Sequence, residues 1–370
     1  MPARPGKCLN KIMKPSSYEN IEFRIRFLLC LADFIGAIIF LPARLARFLR
    51  NEKLDPAKIK KIIVYRLDGI GDLALSLPAL ANLRAGFPDA HITLVTGPWA
   101  ADLARIIKYY DELIIYDSYL FGMFRKNSQF SLKNEIAFFR KTRSEKYDLG
   151  IDLRGDILSI IPLALSCAHF RYAKVTQGGG FLLTNPVNIK DLDKLPEADR
   201  NNRIIAALGI DIKERDIELP VGSAREEKAK PLVVIAPEAL YKWKAWPKER
   251  FKELESALAE VADVEVKSIE GKMDFTELIA LIRNADLVIG NDSSLIHIAS
   301  LFRIPLIQLF GPGIPKRFGH FHNNTRVFQD TSCPHQPCVQ RDCKNKANWC
   351  MEKISVDEVL RAARELLQTR

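Results

Sequence analysis

The fifteen residues from Asp286 to Ser300, D-L-V-I-G-N-D-S-S-L-I-H-I-A-S, constrain the fold more than any other stretch of the chain. Leu287, Val288 and Ile289 form the unbroken apolar run of a strand buried on both faces, and Gly290 and Asn291 interrupt it. Asp292 and Ser293 are helix N-cap residue types, and Leu295, Ile296, Ile298, Ala299 and Leu301 continue at helical spacing. A parallel strand that turns into a helix this way collects free backbone N–H groups, two serine hydroxyls and the positive end of a helix dipole at one point, which suits a phosphate. Plain capping of the helix by Asp292 is the other reading of the same residues, and on this segment alone both stand.

The rest of the chain repeats the strand–turn–helix rhythm. From Lys60, strands are expected at Ile62–Tyr65, Ile92–Val95, Glu112–Tyr116 and Leu149–Leu153, with a helix from Leu73 to Ala85 that tolerates Pro78. A second series follows a charged, proline-containing stretch near Gly222: a strand at Leu232–Ile235, a loop carrying Lys242, Trp243, Lys244 and Trp246, helices at Lys248–Val261 and Phe275–Asn284, and a strand at Leu306–Phe310 that ends in Gly311-Pro312-Gly313. At 370 residues the chain is long enough for two such domains. The expected division is 1–57 as a basic N-terminus with an apolar helix, 58–222 as a first Rossmann-like domain, and 223–370 as a second, with ligands in a cleft at the carboxyl ends of both sets of strands.

Charge and cysteine usage narrow the partners. The formal charge of +10 favours anionic partners. No nucleic-acid module and no helix with a base-reading basic stripe is present in the sequence, so phosphorylated substrates and acidic lipids are expected and nucleic acid is not. Seven cysteines, an odd number, fit a reducing compartment. Four of them, Cys333, Cys338, Cys343 and Cys350, cluster in a Cys-rich segment at 333–350, but their C-x4-C-x4-C-x6-C spacing is not a standard zinc pattern, which leaves them a weak zinc candidate beside reduced or paired thiols. Ahead of the first domain, Met1 to Tyr18 is basic and proline-containing and reads as poorly ordered. Phe27 to Leu41 is apolar and flanked by Arg24 and Arg26 before it and Arg44, Arg47 and Arg50 after it. As a helix it would extend about 22 Å against a hydrocarbon core of about 30 Å, and basic residues at both ends keep both ends on one side, so a monotopic helix held by anionic lipids at the inner face of the membrane is expected. A helix packed on the globular body or at a dimer interface is the alternative.

Gly69-x-Gly71-x-x-Ala74 raises the question of a dinucleotide site. Asp72 would place a carboxylate where the pyrophosphate lies, and the second strand ends in Thr96-Gly97-Pro98, without the acidic residue that holds a ribose, so an NAD-dependent oxidoreductase is set aside. Four blocks instead resemble the heptosyltransferase family of glycosyltransferases: Arg66 to Pro78 (R-L-D-G-I-G-D-L-A-L-S-L-P), Asp148 to Gly155 (D-L-G-I-D-L-R-G), Lys244 to Pro247 (K-A-W-P), and Gly271 to Gly313 with its D-S-S-L-I-H and F-G-P.

The resemblance implies an α/β chain of the GT-B architecture, two Rossmann-like doubly wound domains facing a cleft. It also implies a metal-independent, inverting transfer of a sugar, heptose from ADP-heptose above all, from an ADP-sugar or other nucleotide-sugar to a lipopolysaccharide-core or other lipid-linked glycan acceptor. No cofactor is implied. Asp72 matches the family's base, and Lys244 its phosphate-binding lysine. Ser293, Ser294 and His297 fall where the family holds the donor diphosphate, while Gly69, Gly71, Asp292 and Gly311 shape the site. Such chemistry needs a base for the acceptor hydroxyl and positive groups for the departing diphosphate, which is what these residue types supply. Two departures stand out. Ser294 replaces the family's usual Gly or Ala, and Asp263 to Glu270 runs straight across where the family has a further strand and helix that commonly supply nucleotide-recognising residues. A catalytically silent, membrane-attached relative that binds nucleotide-sugar or lipid is therefore the alternative function.

Overall fold

A computed structural model describes residues 23–42, 45, 52–117, 131–219, 229–239, 241–267, 274–322, 324–336, 343, 345 and 349–368. The expected disorder of Met1 to Tyr18, the arginines 44, 47 and 50, Gly222, Gly271 and Cys338 lie outside them. Two compact units are formed, one of residues 1–192 and 198–215, the other of residues 193–197 and 216–370.

In the first unit, helix α1 (Phe23–Ile39) precedes β1 (Lys61–Arg66), α2 (Ile70–Ala74), α3 (Leu77–Gly86), β2 (His91–Thr96), α4 (Ala101–Ile106), β3 (Glu112–Ile115), α5 (Leu132–Ser144), β4 (Leu149–Asp152), α6 (Ile157–Leu165), β5 (Phe170–Lys174) and β6 (Asn185–Val187). The strands form one sheet in the order β3-β2-β1-β4-β5-β6, with every pairing parallel. That is the Rossmann order. Helix α7 (Glu197–Ala206) follows. Because helices cover the central strands on both faces, the interior of β1 is a continuous apolar run rather than alternating, with Ile62, Ile63, Val64 and Tyr65 all buried. One expectation needs correcting. Leu73 to Ala85 is not one helix: α2 stops at Ala74, and α3 starts anew with Pro78 in its first turn, where a missing N–H costs nothing.

The second unit runs β7 (Leu232–Ala236), α8 (Lys248–Leu258), β8 (Asp263–Val266), α9 (Phe275–Arg283), β9 (Leu287–Asn291), α10 (Ser294–Ser300), β10 (Leu306–Phe310), α11 (Pro315–Phe318), β11 (Thr325–Gln329) and α12 (Val356–Gln368). Its sheet has the order β11-β10-β9-β7-β8, again parallel throughout. Val233, Ile235, Leu287, Ile289, Ile307 and Leu309 make the sheet's contribution to a core that α8 and α12 close with Leu254, Leu258, Val359 and Ala363. The stretch expected to run straight across from Asp263 does contain a strand: Asp263–Val266 adds β8 to the sheet edge. It is mostly solvent-exposed and alternates acidic with β-branched residues, so it lacks the apolar run by which a buried strand is read.

Both sheets deliver their carboxyl ends to short polar turns. After β4, Asp152 accepts hydrogen bonds from the N–H of Gly155 (2.7 Å) and the hydroxyl of Ser159 (2.9 Å), and Gly155 sits at φ +88°, where a Cβ would also meet the Lys174 carbonyl at 2.6 Å. Burial, reinforced by the Asp156 carboxylate, pushes the Asp152 carboxyl up to about 6. The unfolded chain holds this proton less tightly, with a carboxyl near the usual value of about 3.9, so Asp152 subtracts progressively more stability as pH rises from about 4 to about 6 and a constant amount above that. Asp152→Asn keeps an acceptor for Gly155 and Ser159 and is expected to remove the decline. In denaturant unfolding at a series of pH values, the variant should gain on the wild type across that window and hold a constant margin above it. A margin that does not change with pH would mean that Asp152 ionises like an exposed carboxylate.

Candidate functional site

In the first unit the site is built on a buried arginine. Arg66, at the end of β1, is 1% exposed. Its Nη1 donates to the Leu153 carbonyl at the end of β4 (2.7 Å), and its Nε donates to the Asp72 carbonyl (3.1 Å) and faces the Asp68 carboxylate at 2.9 Å. The guanidinium therefore ties two adjacent strand ends to the turn between β1 and α2. Asp72 lies in the first turn of α2. One carboxylate oxygen accepts the Gly69 N–H (3.0 Å), the arm of a capping box, and the other lies 3.5 Å from Arg66 Nη2. The carboxylate thus caps the start of α2, yet it stays about one-third exposed, at 35%. Gly69 is tightly placed, since a Cβ there would lie 3.0 Å from the Asp72 carboxylate, and Gly71 is buried in the same turn.

In the second unit, Asn291 at the end of β9 organises the neighbouring loop. Its side-chain oxygen accepts the Trp246 N–H (2.9 Å) and its amide donates to the Pro237 carbonyl (2.7 Å). Trp246 is buried and donates its indole N–H to the Ile354 carbonyl, so the K-A-W-P segment is anchored by its aromatic residue, with Lys244 held beside the turn. Trp243 stacks on Tyr241 at 4.7 Å, and its carbonyl accepts the Trp349 indole N–H. Gly311 is needed for close approach: a Cβ there would lie 2.7 Å from Met351 Sδ and 3.2 Å from the Trp243 carbonyl.

Asp292 does not cap α10. Ser293 occupies the N-cap position, without a side-chain cap hydrogen bond, and Ser294 opens the helix. The Asp292 carboxylate turns instead to Lys244 Nζ at 2.8 Å and lies 3.7 Å from His297 Nε2. His297 Nδ1 is 2.8 Å from His320 Nε2, and Gln308 fixes the His320 backbone through both its N–H and its carbonyl. Burial, with the neighbouring His297 and His322, holds the His320 imidazole well below its usual range, so this ring stays neutral. The result is a row of polar side chains, Lys244, Asp292, His297 and His320, across the carboxyl ends of β9 and β10. His320 lies outside the blocks quoted from the sequence. Arg66, Asn291 and Gln308 lie within them, but the pattern of those blocks does not show which groups their side chains bind.

Beside Lys244, the Cys-rich segment forms a recess lined by Trp243, Cys333, His335, Cys343, Trp349 and Cys350, where burial pushes the Cys350 thiol up. Among the described residues no group of three or more His, Cys, Asp or Glu side chains is arranged to hold a metal ion.

Two Rossmann-like sheets in series, each ending in a polar turn at the carboxyl edge, are the α/β elements of the GT-B fold. The fold is that of a glycosyl transferase family 9 protein from Veillonella parvula (TM-score 0.65, 19% identity, covering 84% of this chain and 98% of that one). It is also that of the Escherichia coli ADP-heptose lps heptosyltransferase II (TM-score 0.62, 18% identity, 84% and 99%). The model of glycosyltransferase family 9 (heptosyltransferase) matches residues 136–267 and 257–348, together more than half of the chain. The chain belongs to this family and is a glycosyltransferase. Among curated relatives it is 25% identical to lipopolysaccharide heptosyltransferase 3 of E. coli, over 80% of this chain and 96% of that protein. It is 24% identical to lipooligosaccharide heptosyltransferase 2 of Campylobacter jejuni, over 83% and 98%.

The Lys244–Asp292 pair couples the K-A-W-P loop to the strand end. Asp292 is 6% exposed and Lys244 28%, so removing the lysine leaves a nearly buried carboxylate without its closest cation. Lys244→Met is expected to destabilise the second unit by about 1–3 kcal/mol. Lys244→Met combined with Asp292→Asn should cost less than the sum of the two single changes by about 1 kcal/mol, measured as a double-mutant cycle in urea. Additive losses would show that the pair contributes no coupling.

Proposed function

We propose that the chain is an inverting, metal-independent transferase that moves heptose from ADP-heptose, or a related sugar from its nucleotide donor, to a lipopolysaccharide-core or other lipid-linked acceptor. The observation that carries this reading is the form of Asp72. It is a carboxylate fixed through Gly69 and Arg66 yet one-third open to solvent at the carboxyl end of β1, which suits a base that must receive a hydroxyl proton. The heptose donor and the lipopolysaccharide acceptor are supported by the names of the two near-full-length relatives.

In this mechanism Asp72 takes the proton of the acceptor hydroxyl as that oxygen attacks the anomeric carbon, and the nucleoside diphosphate departs from the opposite face. Inversion follows from a single displacement. The departing charge is met by the Lys244 ammonium, which has donors left beyond the one shared with Asp292, and by the Ser293 and Ser294 hydroxyls and the N–H groups that open α10. His297, one turn further on, orients the same phosphates, and Asp292 holds Lys244 and His297 in place. Lysine and backbone N–H groups supply the positive charge that a divalent cation supplies in other transferases, which is why no metal is invoked.

With a panel of nucleotide-sugars and a detergent-dispersed lipopolysaccharide-core acceptor, release of ADP should be fastest from ADP-heptose. Asp72→Asn should lower turnover by about 10²–10⁴ while leaving donor affinity nearly unchanged, since the base acts on the acceptor. Lys244→Ala should weaken ADP-heptose binding in calorimetry by about 1.5–3 kcal/mol. Wild-type turnover in the first variant removes Asp72 from the mechanism. Binding of donor with no release from any sugar would identify a catalytically silent relative. Chelator treatment should leave turnover intact, and loss of turnover by a protein that remains folded would overturn the metal-free reading.

A further inference from the structure

Helix α1 is held on the first unit by one narrow face. Asp33, at mid-helix and buried, accepts the N–H of Gly179 at 2.7 Å, where Gly178 and Gly179 take φ values of +78° and +85° to present that N–H. One turn later Gly36 lies so close to Phe181 that a Cβ would fall 2.5 Å from its ring, and Phe40 packs on the same ring at 5.7 Å. Asp33, Gly36 and Phe40 follow helical spacing, so a single stripe of the helix is used for docking. The opposite side presents Leu31, Phe34, Ile35, Ile38, Ile39 and Leu41, exposed by 44–65%. A contiguous row of large apolar side chains of this kind marks an interaction surface.

We propose that this face lies in the plane of an anionic lipid bilayer and anchors the protein to it. Three observations choose this occupant. The helix is fastened to the body through a carboxylate at its middle, and among the described residues no helix is long and apolar enough to cross a membrane, so a crossing orientation is excluded for it as docked. Between Arg24 and Asn51 the sequence has five arginines, 24, 26, 44, 47 and 50, and a single acidic residue, Asp33, which is consumed by Gly179. In the sequence from Arg24 to Asn51 the charges that remain are therefore all positive. A second copy of the helix would bring arginines against arginines, whereas acidic headgroups complement them. Two readings that the sequence left open, bilayer and body, are then two faces of one helix. Its use, holding a transferase beside a lipid-embedded acceptor, rests on the proposed function; membrane binding itself does not, and is measured without any sugar.

The test is flotation of the full-length chain with phosphatidylcholine vesicles, with and without phosphatidylglycerol. The protein is expected to float with the anionic vesicles at low salt, to be captured at least tenfold less by pure phosphatidylcholine, and to lose capture as NaCl is raised. Ile35→Gln, Ile38→Gln and Ile39→Gln combined should reduce capture by at least tenfold while calorimetric ADP affinity and the thermal unfolding midpoint stay at wild-type values. Tryptophan introduced by Ile38→Trp should be quenched more by lipids brominated near the headgroup end of the acyl chain than by those brominated near its tip. Wild-type flotation of the triple variant would overturn the proposal. So would strongest quenching at the bilayer centre, or a wild-type dimer in sedimentation velocity that the triple variant abolishes. Should the triple variant unfold, Phe34→Ser alone, further along the exposed row, is expected to lower capture by severalfold, and unchanged capture would again overturn it.

Discussion

All strand pairings in both sheets are parallel, and that constraint governs where polar chemistry is placed in this chain. Parallel strands joined by crossovers bury both faces of the sheet, so charged groups have no place within it and collect at the strand ends. There the backbone N–H and C=O groups lose their ladder partners and must be met by side chains. Asp152, Arg66, Asn291 and Asp292 all stand at such ends, and each makes hydrogen bonds or ion pairs there.

The end of β1 in the first unit and the end of β9 in the second are satisfied with opposite charges. In the first, a cation is buried: Arg66 binds the end of β4 and draws Asp68 and Asp72 to its guanidinium. A delocalised cation with several donors suits this position, because it bonds two carbonyls and also faces two carboxylates. In the second, an anion is buried: Asp292 faces Lys244 and His297. A nearly buried carboxylate 2.8 Å from the partly exposed Lys244 ammonium fixes where that ammonium stands. Asp292 therefore pairs with Lys244 rather than capping α10, the role its residue type suggested.

The elements most legible in the sequence were those with the most complete burial. Strands β1, β7, β9 and β10 announce themselves as apolar runs because both their faces are covered, and the strand-to-helix turn after β9 follows from Gly290 and the serines beyond Asp292. Edge strands were harder. β8 is exposed and acidic, β6 contains Pro186, and β11 mixes Arg326 and Gln329 with apolar residues, so their strand character comes from pairing with a neighbour already in place. The break between α2 and α3 was hidden for a related reason: Leu73 to Leu83 is apolar enough to read as one helix, and only Pro78 marks where the second begins.

By itself, the sequence determined the fold class, the order of the two Rossmann-like domains and the short list of residue types at the strand ends, since burial period, glycine turns and motif order are all local properties of the chain. Tertiary structure alone decided which of those residues meet. Arg66 reaches Leu153 across 87 positions, Lys244 reaches Asp292 across 48, and Gly179 reaches Asp33 across 146. Contacts over such separations depend on strand order and on how each turn is packed, and a linear pattern of apolar and polar residues carries neither. The same holds for His320. It is an unremarkable histidine in the sequence, and the fold brings it beside His297, where β10 lies next to β9.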